Sequence, residues 1–197
     1  LWTAHDPTTS LCFSGANLIP LLGAPGDLDY FADRAIAAPR LCSSIVGRAE
    51  LVMPMWDQLE PAWGPAREVR SVQPLLALPG PPEVAADPGV RMVTIDDLDV
   101  YLPAAIDMFI GEVGVDPTAG DGGRSYRRRL ASLITAQRVF ARFDGPDVVF
   151  KAEIGSLSRR VGQIQGVWVD PDRRGEGLGL GGTAAVAEAV RKHRPNL

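Results

Sequence analysis

Residues 166–190 constrain this chain more than any other stretch. An apolar run carrying the β-branched Val167 and Val169 stops at Asp170-Pro171. A basic, glycine-punctuated segment then leads from Arg173 to Gly182, and an alanine-rich stretch with helical spacing follows. Strand, glycine loop and helix in that order suit an anion. The first N–H groups of a helix have no intrahelical acceptor, and the helix dipole concentrates positive potential there. Glycines let the backbone approach a phosphate closely and take positive φ where the loop turns. Arg173 and Arg174 add charge at the rim. The pattern predicts a cradle for a diphosphate.

Spacing separates one cradle from another. A dinucleotide fingerprint needs Gly-x-Gly-x-x-Gly directly after a strand, and a P-loop needs a Lys-Ser/Thr pair after its last glycine. Gly175-Glu176-Gly177-Leu178-Gly179 has no such pair. What fits is Arg174-x-x-Gly177-x-Gly179 preceded by Val167-x-Val169-Asp170-Pro171. This resembles motif A of the GNAT superfamily of acyl-CoA-dependent N-acyltransferases.

The 197 residues have room for one large or two small domains, and 46% hydrophobic content suffices for a core. A net charge of −4 argues against a general nucleic-acid binder. Cys12 and Cys42 are too few for a disulfide framework and lack metal-ligand spacing, so a reducing cytoplasm and no metal are expected. No apolar run reaches the length of a membrane span. The chain opens without Met or a signal peptide, so a preceding segment is expected.

Residues 1–78 predict a small βαβαβ domain. Its strand at residues 10–22 is interrupted at Gly15, and Asp27 is the expected N-cap of a helix with Leu28, Phe31, Ala35 and Ile36 on one face. A short strand follows at residues 41–46. A helix over residues 48–63 sets Leu51, Met55, Leu59 and Trp63 at helical spacing, with Trp56 and Trp63 read as core and Pro54 bending it or marking its start. Residues 68–78 read as a last strand. Pro79, Pro81, Pro82 and Pro88 make residues 79–88 a semi-rigid linker.

Residues 89–197 form the second domain. A strand at residues 90–95 leads into a helix capped by Asp96, Asp97 or Asp99, its inner face Leu102, Ile106, Phe109, Ile110 and Val113. After a polar loop at residues 115–124, Ser125 caps a helix burying Tyr126, Leu130, Leu133 and Ile134. Strands at residues 138–143 and 148–154 meet at the hairpin signal Asp144-Gly145. Residues 161–169 form another strand, and the helix beyond the loop keeps Thr183, Val186, Ala187 and Val190 on one narrow face. Strand, two helices, three strands and a helix are the first two-thirds of a GNAT domain in order. The resemblance implies an α/β (α+β) fold with a mixed, largely antiparallel sheet flanked by helices. In the family a fifth strand, a fourth helix and two more strands follow, and none of these comes before Leu197. That missing part would carry the tyrosine that often protonates the departing thiolate. The first domain looks like a degenerate second half of a GNAT domain, without a phosphate loop at Ala24-Pro25-Gly26-Asp27. The whole resembles bacterial two-domain proteins with an uncharacterised N-terminal domain before a GNAT domain.

The resemblance implies an N-acetyltransferase that moves acetyl from acetyl-CoA to a primary amine, on a small molecule or a protein. Backbone N–H groups of Arg174, Gly175, Glu176, Gly177, Leu178, Gly179 and Leu180 would hold the pyrophosphate. The main chain of Val167, Trp168 and Val169 would pair with the pantetheine amides, with one N–H facing the thioester oxygen. An amine with pKa near 10 needs a base or a water relay. Gln163 and Gln165 can orient a water but not take its proton. Glu153 is the nearest carboxylate and is catalytic if it faces the cleft with Lys151 and Gly155; otherwise it is a sheet-face charge paired with a base. Arg127, Arg128 and Arg129 either approach the adenosine 3′-phosphate or form a solvated face. Asp116 and Asp121 recognise a cationic acceptor or cap turns, and the Glu176 side chain points to solvent. Trp168 covers the pantetheine or packs. His5 and His193 have no partner arrangement and read as surface residues. A different class of function stays open: a CoA-binding sensor without turnover, its first domain regulating it or recruiting a protein acceptor. A homodimer is equally open.

Overall fold

In the computed structural model, which describes residues 1–193 and only the main chain of His193, the polypeptide divides into two units, Leu1–Leu76 and Ala77–Leu197. The expected surface placement of His193 therefore lies outside the described side chains.

In the first unit β1 (Leu11–Ser14) and β2 (Asn17–Leu22) form an antiparallel hairpin, and β3 (Ser44–Ile45) lies parallel to β2. Helices α1 (Pro25–Ala37) and α2 (Ala49–Trp63) close a core of Cys12, Leu18, Leu28, Phe31, Ala32, Ala35, Met55 and Leu59. Trp56 and Trp63 pack against it, as expected. The order is ββαβα, which corrects the expected βαβαβ. Gly15 N–H donates to Asn17 O at 3.0 Å, so the chain reverses at Gly15 and one expected strand becomes two. Residues 68–78 pair with none of the described strands, and Val72, Leu75 and Leu76 are 86–90% exposed. A strand there needs a sheet edge, and no described strand offers one.

Other local details differ as well. Asp27 lies in the first turn of α1, three residues past the cap; its carboxylate accepts from Ala24 N–H at 2.8 Å. His5 Nδ1 stands 3.2 Å from the same carboxylate, so this histidine does have a partner. Ile36 is exposed, and Ala32 takes its place on the buried face. Pro54 sits inside α2, where it removes one hydrogen-bond donor without ending the helix.

The second unit contains β4 (Val90–Met92), α3 (Leu98–Val113), α4 (Arg124–Thr135), β5 (Val139–Asp144), β6 (Asp147–Leu157), β7 (Gly162–Val169) and α5 (Leu178–His193). Its sheet runs β4-β5-β6-β7 and is antiparallel throughout. This is the element order that the GNAT resemblance implies. Strand alternation sorts the sheet's side chains into two cores. Val139, Ala141 and Val148 pack with Tyr101, Ala105, Leu130 and Ile134 of α3 and α4. Phe140, Phe150, Ala152 and Ile154 pack with Val186 of α5. A Cβ on Gly182 would fall 2.6 Å from the Phe150 ring, so α5 rests closer to β6 than any side chain at that position would allow. That approach aims the start of α5 at the end of β7.

The inner face of α3 is Leu98, Tyr101, Ala104, Ala105 and Met108, not the expected one; Leu102, Ile106 and Phe109 are half-buried and Ile110 is exposed. The helix is apolar nearly all round, so its largest side chains do not mark the face that turns inward. Ser125 does not cap α4. Instead the Asp121 carboxylate accepts from Ser125 N–H at 2.9 Å, and Asp116 accepts from Thr118 N–H at 2.8 Å. Both aspartates thus serve turns. Near the end of the proline-rich stretch, Asp87 N–H donates to Gly181 O at 3.0 Å and its carboxylate meets Arg142 at 2.6 Å, which ties residue 87 to α5 and β5.

Thr94 and Asp97 start the turn before α3. Arg91 donates twice to Asp97, at 2.8 Å each, and Thr94 N–H once at 2.8 Å. The Arg91 guanidinium therefore holds the Asp97 carboxyl well below the usual carboxylate range, against the opposing effect of burial. Such a depressed carboxyl stabilises the fold fully above its unfolded pKa of about 3.9 and loses that contribution as pH falls from there through the lowered folded value. Urea midpoints followed from neutral to acid pH should fall more steeply for the native chain than for Asp97→Asn. Equal slopes would show that this carboxyl carries none of the acid sensitivity.

Candidate functional site

The site grows from an irregularity in β7. Lys151 pairs with Trp168 and Glu153 with Gln165, so Ala152 of β6 faces two residues of β7, Gly166 and Val167. Gly166 has φ +56°, a conformation suited to glycine, and this extra residue bends β7 away from the regular ladder. Among the described residues β7 pairs only with β6, through Trp168 and Val169 beyond the bulged Val167, and its other edge meets no strand. These three residues line a cavity of about 610 Å³ together with Asp107, Met108, Gly111 and Glu112 of α3, Pro171 and Arg174.

The glycine loop follows at once. Asp170 accepts from Asp172 N–H at 3.0 Å and starts a single 3-10 turn, Pro171–Arg173. Gly175 and Gly177 have φ +86° and +82°, and a Cβ on either would meet nothing within 4 Å. The loop therefore needs glycine for its backbone angles, while the space beside it stays open. The hydrogen bond from Gly181 N–H to Gly177 O, 3.0 Å, opens the α5 ladder, so the amides of Leu178, Gly179 and Leu180 precede it. Arg173 donates to Glu176 at 2.9 Å and to Asp144 at 2.7 Å, so two carboxylates already offset its charge. The Glu176 side chain points to Arg173, not simply to solvent. Arg174 reaches back to Val169 O at 3.4 Å and stays at the cavity wall.

Lys151 and Glu153 do share one face of β6, as the sequence suggested, but that face is roofed by α3 and α4. Both are buried, 0% and 1% exposed. The Lys151 ammonium lies 3.2 Å from Glu153 Oε1 and donates to Gly166 O at 3.0 Å. Tyr101 O–H donates to Glu153 Oε1 at 3.2 Å, and Arg129 stands 3.9 Å from its other oxygen. Burial pushes the Lys151 ammonium below the usual lysine range, opposed by the Glu153 charge. It pushes the Tyr101 hydroxyl far up, helped by the same charge. Glu153 is not part of the cavity wall. The arginines of α4 are tied to neighbours: Arg127 to Asp99, Arg128 to Ser125 Oγ, and Arg129 toward Glu153. Trp168 both lines the cavity and packs against the α3–α4 core.

Sequence reasoning missed Asp107 and Glu112. The signal was present, because they are the only charged residues in the second half of an otherwise apolar helix. Among the described residues no group of three or more His, Cys, Asp or Glu could hold a metal ion. None of the described helices is long and apolar enough to cross a membrane. Both cysteines are free, and burial pushes the Cys12 thiol up to about 11.

Residues 1–101 match the profile of a family described as a domain of unknown function, DUF4081. No curated protein matches the chain. Among solved structures, a GCN5-related N-acetyltransferase from Kribbella flavida is similar at 22% identity and a TM-score of 0.42. The match covers 53% of this chain and 27% of that one, so it spans about a quarter of the relative's length. The PaiA N-acetyltransferase from Thermoplasma acidophilum, in complex with coenzyme A, is similar at 12% identity and a TM-score of 0.40. There the match covers 53% of this chain and 72% of the other.

Proposed function

The chain belongs to the DUF4081 family, and given the GNAT-like element order of its second unit we propose that it is an N-acetyltransferase moving acetyl from acetyl-CoA to a primary amine. One juxtaposition supports this reading. The last residues of β7 beyond its bulge, on a strand edge that no other described strand covers, and the start of an open glycine loop border the same cavity. Under this reading the N–H groups of Arg174, Gly175, Glu176, Gly177, Leu178, Gly179 and Leu180 hold the diphosphate. The loop fits a polyanion, since open space lies beside its two positive-φ glycines. Val167, Trp168 and Val169 run beside the pantetheine arm. Bound acetyl-CoA would supply the activated acyl group. The chain's part is to offer an amide N–H to the thioester oxygen and to orient the amine.

Asp107 and Glu112 receive that amine as a cation on the α3 wall. A general base must come within hydrogen-bond reach of the proton it takes, directly or through one water. Glu153, buried beneath Tyr101 and Lys151, is set back from the wall, so the role first considered for it passes to the cavity carboxylates or solvent. Glu153→Gln should then keep the alkaline limb of the rate profile, while Asp107→Asn and Glu112→Gln raise KM for the amine. A flattened alkaline limb in Glu153→Gln would restore it as the base. The two free cysteines fit a reducing cytoplasm.

Thiol release from acetyl-CoA, measured on the 197-residue chain with a panel of peptides, amino acids, polyamines and aminoglycosides, tests the proposal. Turnover with any amine is the expected result. Binding of coenzyme A without turnover across the panel would favour the sensor. A smaller effect belongs to the rim: Glu176→Ala frees Arg173 for phosphate and should tighten coenzyme A roughly two- to threefold at low salt, less at high salt. Unchanged affinity would show that Arg173 does not meet the nucleotide.

A further inference from the structure

We propose that Lys151 is a positioning residue: its buried ammonium holds the β7 bulge by the Gly166 carbonyl and so sets the line along which the pantetheine arm of coenzyme A lies. This rests on the reading that the arm follows Val167, Trp168 and Val169.

A bulge turns one residue out of the sheet ladder, and the carbonyl it turns away still needs a donor. Here the donor is a side chain from the neighbouring strand. Lys151 Nζ reaches Gly166 O at 3.0 Å, at the residue where the register between β6 and β7 slips. The bulge lies in van der Waals contact with its neighbours. A Cβ on Gly166 would stand 3.4 Å from Lys151 Nζ and 3.5 Å from Met108 Cε, and Met108 lines the cavity. Glu153 balances the ammonium and is itself held by Tyr101 of α3, with Arg129 of α4 nearby. The chain of contacts therefore runs from two helices, through an ion pair, to one carbonyl within β7, immediately before Val167.

Stability alone does not call for this arrangement. A buried ion pair gains little over well-packed apolar side chains of the same volume. What the lysine adds is direction: three donors on a tethered ammonium can fix a carbonyl that the ladder has released. Loss of that grip lets Val167, Trp168 and Val169 shift relative to the glycine loop, which Lys151 does not touch. The two halves of the nucleotide carrier should therefore respond differently.

Calorimetry on the 197-residue chain with two probes separates them: ADP, which engages only the loop, and acetyl-CoA, which engages loop and strand. Two variants are used. Lys151→Met with Glu153→Gln removes both charges, so that no buried charge is left unpaired. Gly166→Ala keeps the ion pair and strains the bulge at its positive φ. Both should weaken acetyl-CoA about tenfold, roughly the loss of one or two hydrogen bonds, and leave ADP unchanged. Unfolding monitored in parallel confirms that the variants fold. Equal losses for both probes, or full retention of acetyl-CoA affinity in either folded variant, would overturn the positioning role. A native chain that binds neither probe would instead overturn the reading of the site itself, and this inference with it.

Discussion

Lys151→Met alone is expected to destabilise the second unit by about 3–5 kcal/mol, the usual cost of removing one partner from a buried ion pair. The reason lies in what remains. Glu153, 1% exposed, would keep the Tyr101 hydroxyl but lose its nearest cation, with Arg129 at 3.9 Å too far to replace it fully. Adding Glu153→Gln should recover most of the loss, because an amide can still accept from Tyr101 without a charge to compensate. Urea unfolding of the two variants beside the native chain measures both effects. A single variant within about 1 kcal/mol of native would mean that water reaches the pair. The pH dependence follows with a definite sign. The Lys151 ammonium titrates lower in the folded chain than in the unfolded one, because burial outweighs the Glu153 charge. Between the lowered value and the unfolded value of about 10.4, the unfolded chain binds more protons, so this residue's contribution to stability rises with pH across that window. Glu153→Gln removes the opposing charge and should extend the window to lower pH.

Gly177→Val should abolish most coenzyme A binding, a loss of about a hundredfold or more, while lowering stability by only about 1–2 kcal/mol and leaving the chain folded. The φ of +82° at this position costs a β-branched residue about 1–2 kcal/mol and pushes the loop toward another shape. The new side chain would also stand in the open space where a phosphate would approach the amides of Leu178 and Gly179. Gly120→Ala is the control, since a Cβ there meets nothing and the backbone angle is ordinary. Titration of coenzyme A into both variants gives the comparison. Affinity retained in a folded Gly177→Val chain would mean that the loop is only a connection between β7 and α5.

What could be read from residues alone was local in origin. Asp144 and Gly145 announced the β5–β6 turn, where Gly145 has φ +59°. The turn of the glycine loop was legible because its glycines lie within about ten successive residues. The bulge was not, since Gly166 becomes special only once Ala152, between Lys151 and Glu153, is placed across from it, a fact of register between two strands. The α3 wall escaped for another reason. Leu102, Phe109 and Ile110 outweigh Ala104 and Ala105 in any apolar tally, yet it is the small pair that packs inward. Asp107 and Glu112 consequently fell on a face assigned by side-chain size to the wrong side. Residues 68–78 show the converse error, a strand pattern without a strand beside it.

The central claim is that main-chain nitrogens at the start of α5 grip a diphosphate. Amide proton and nitrogen shifts of the 197-residue chain, followed during titration with coenzyme A, test it most directly. The account predicts that the amides of Gly177, Leu178, Gly179 and Leu180 move together and saturate with the ligand. Amides in that turn that stay fixed while coenzyme A binds elsewhere, or does not bind, would contradict it.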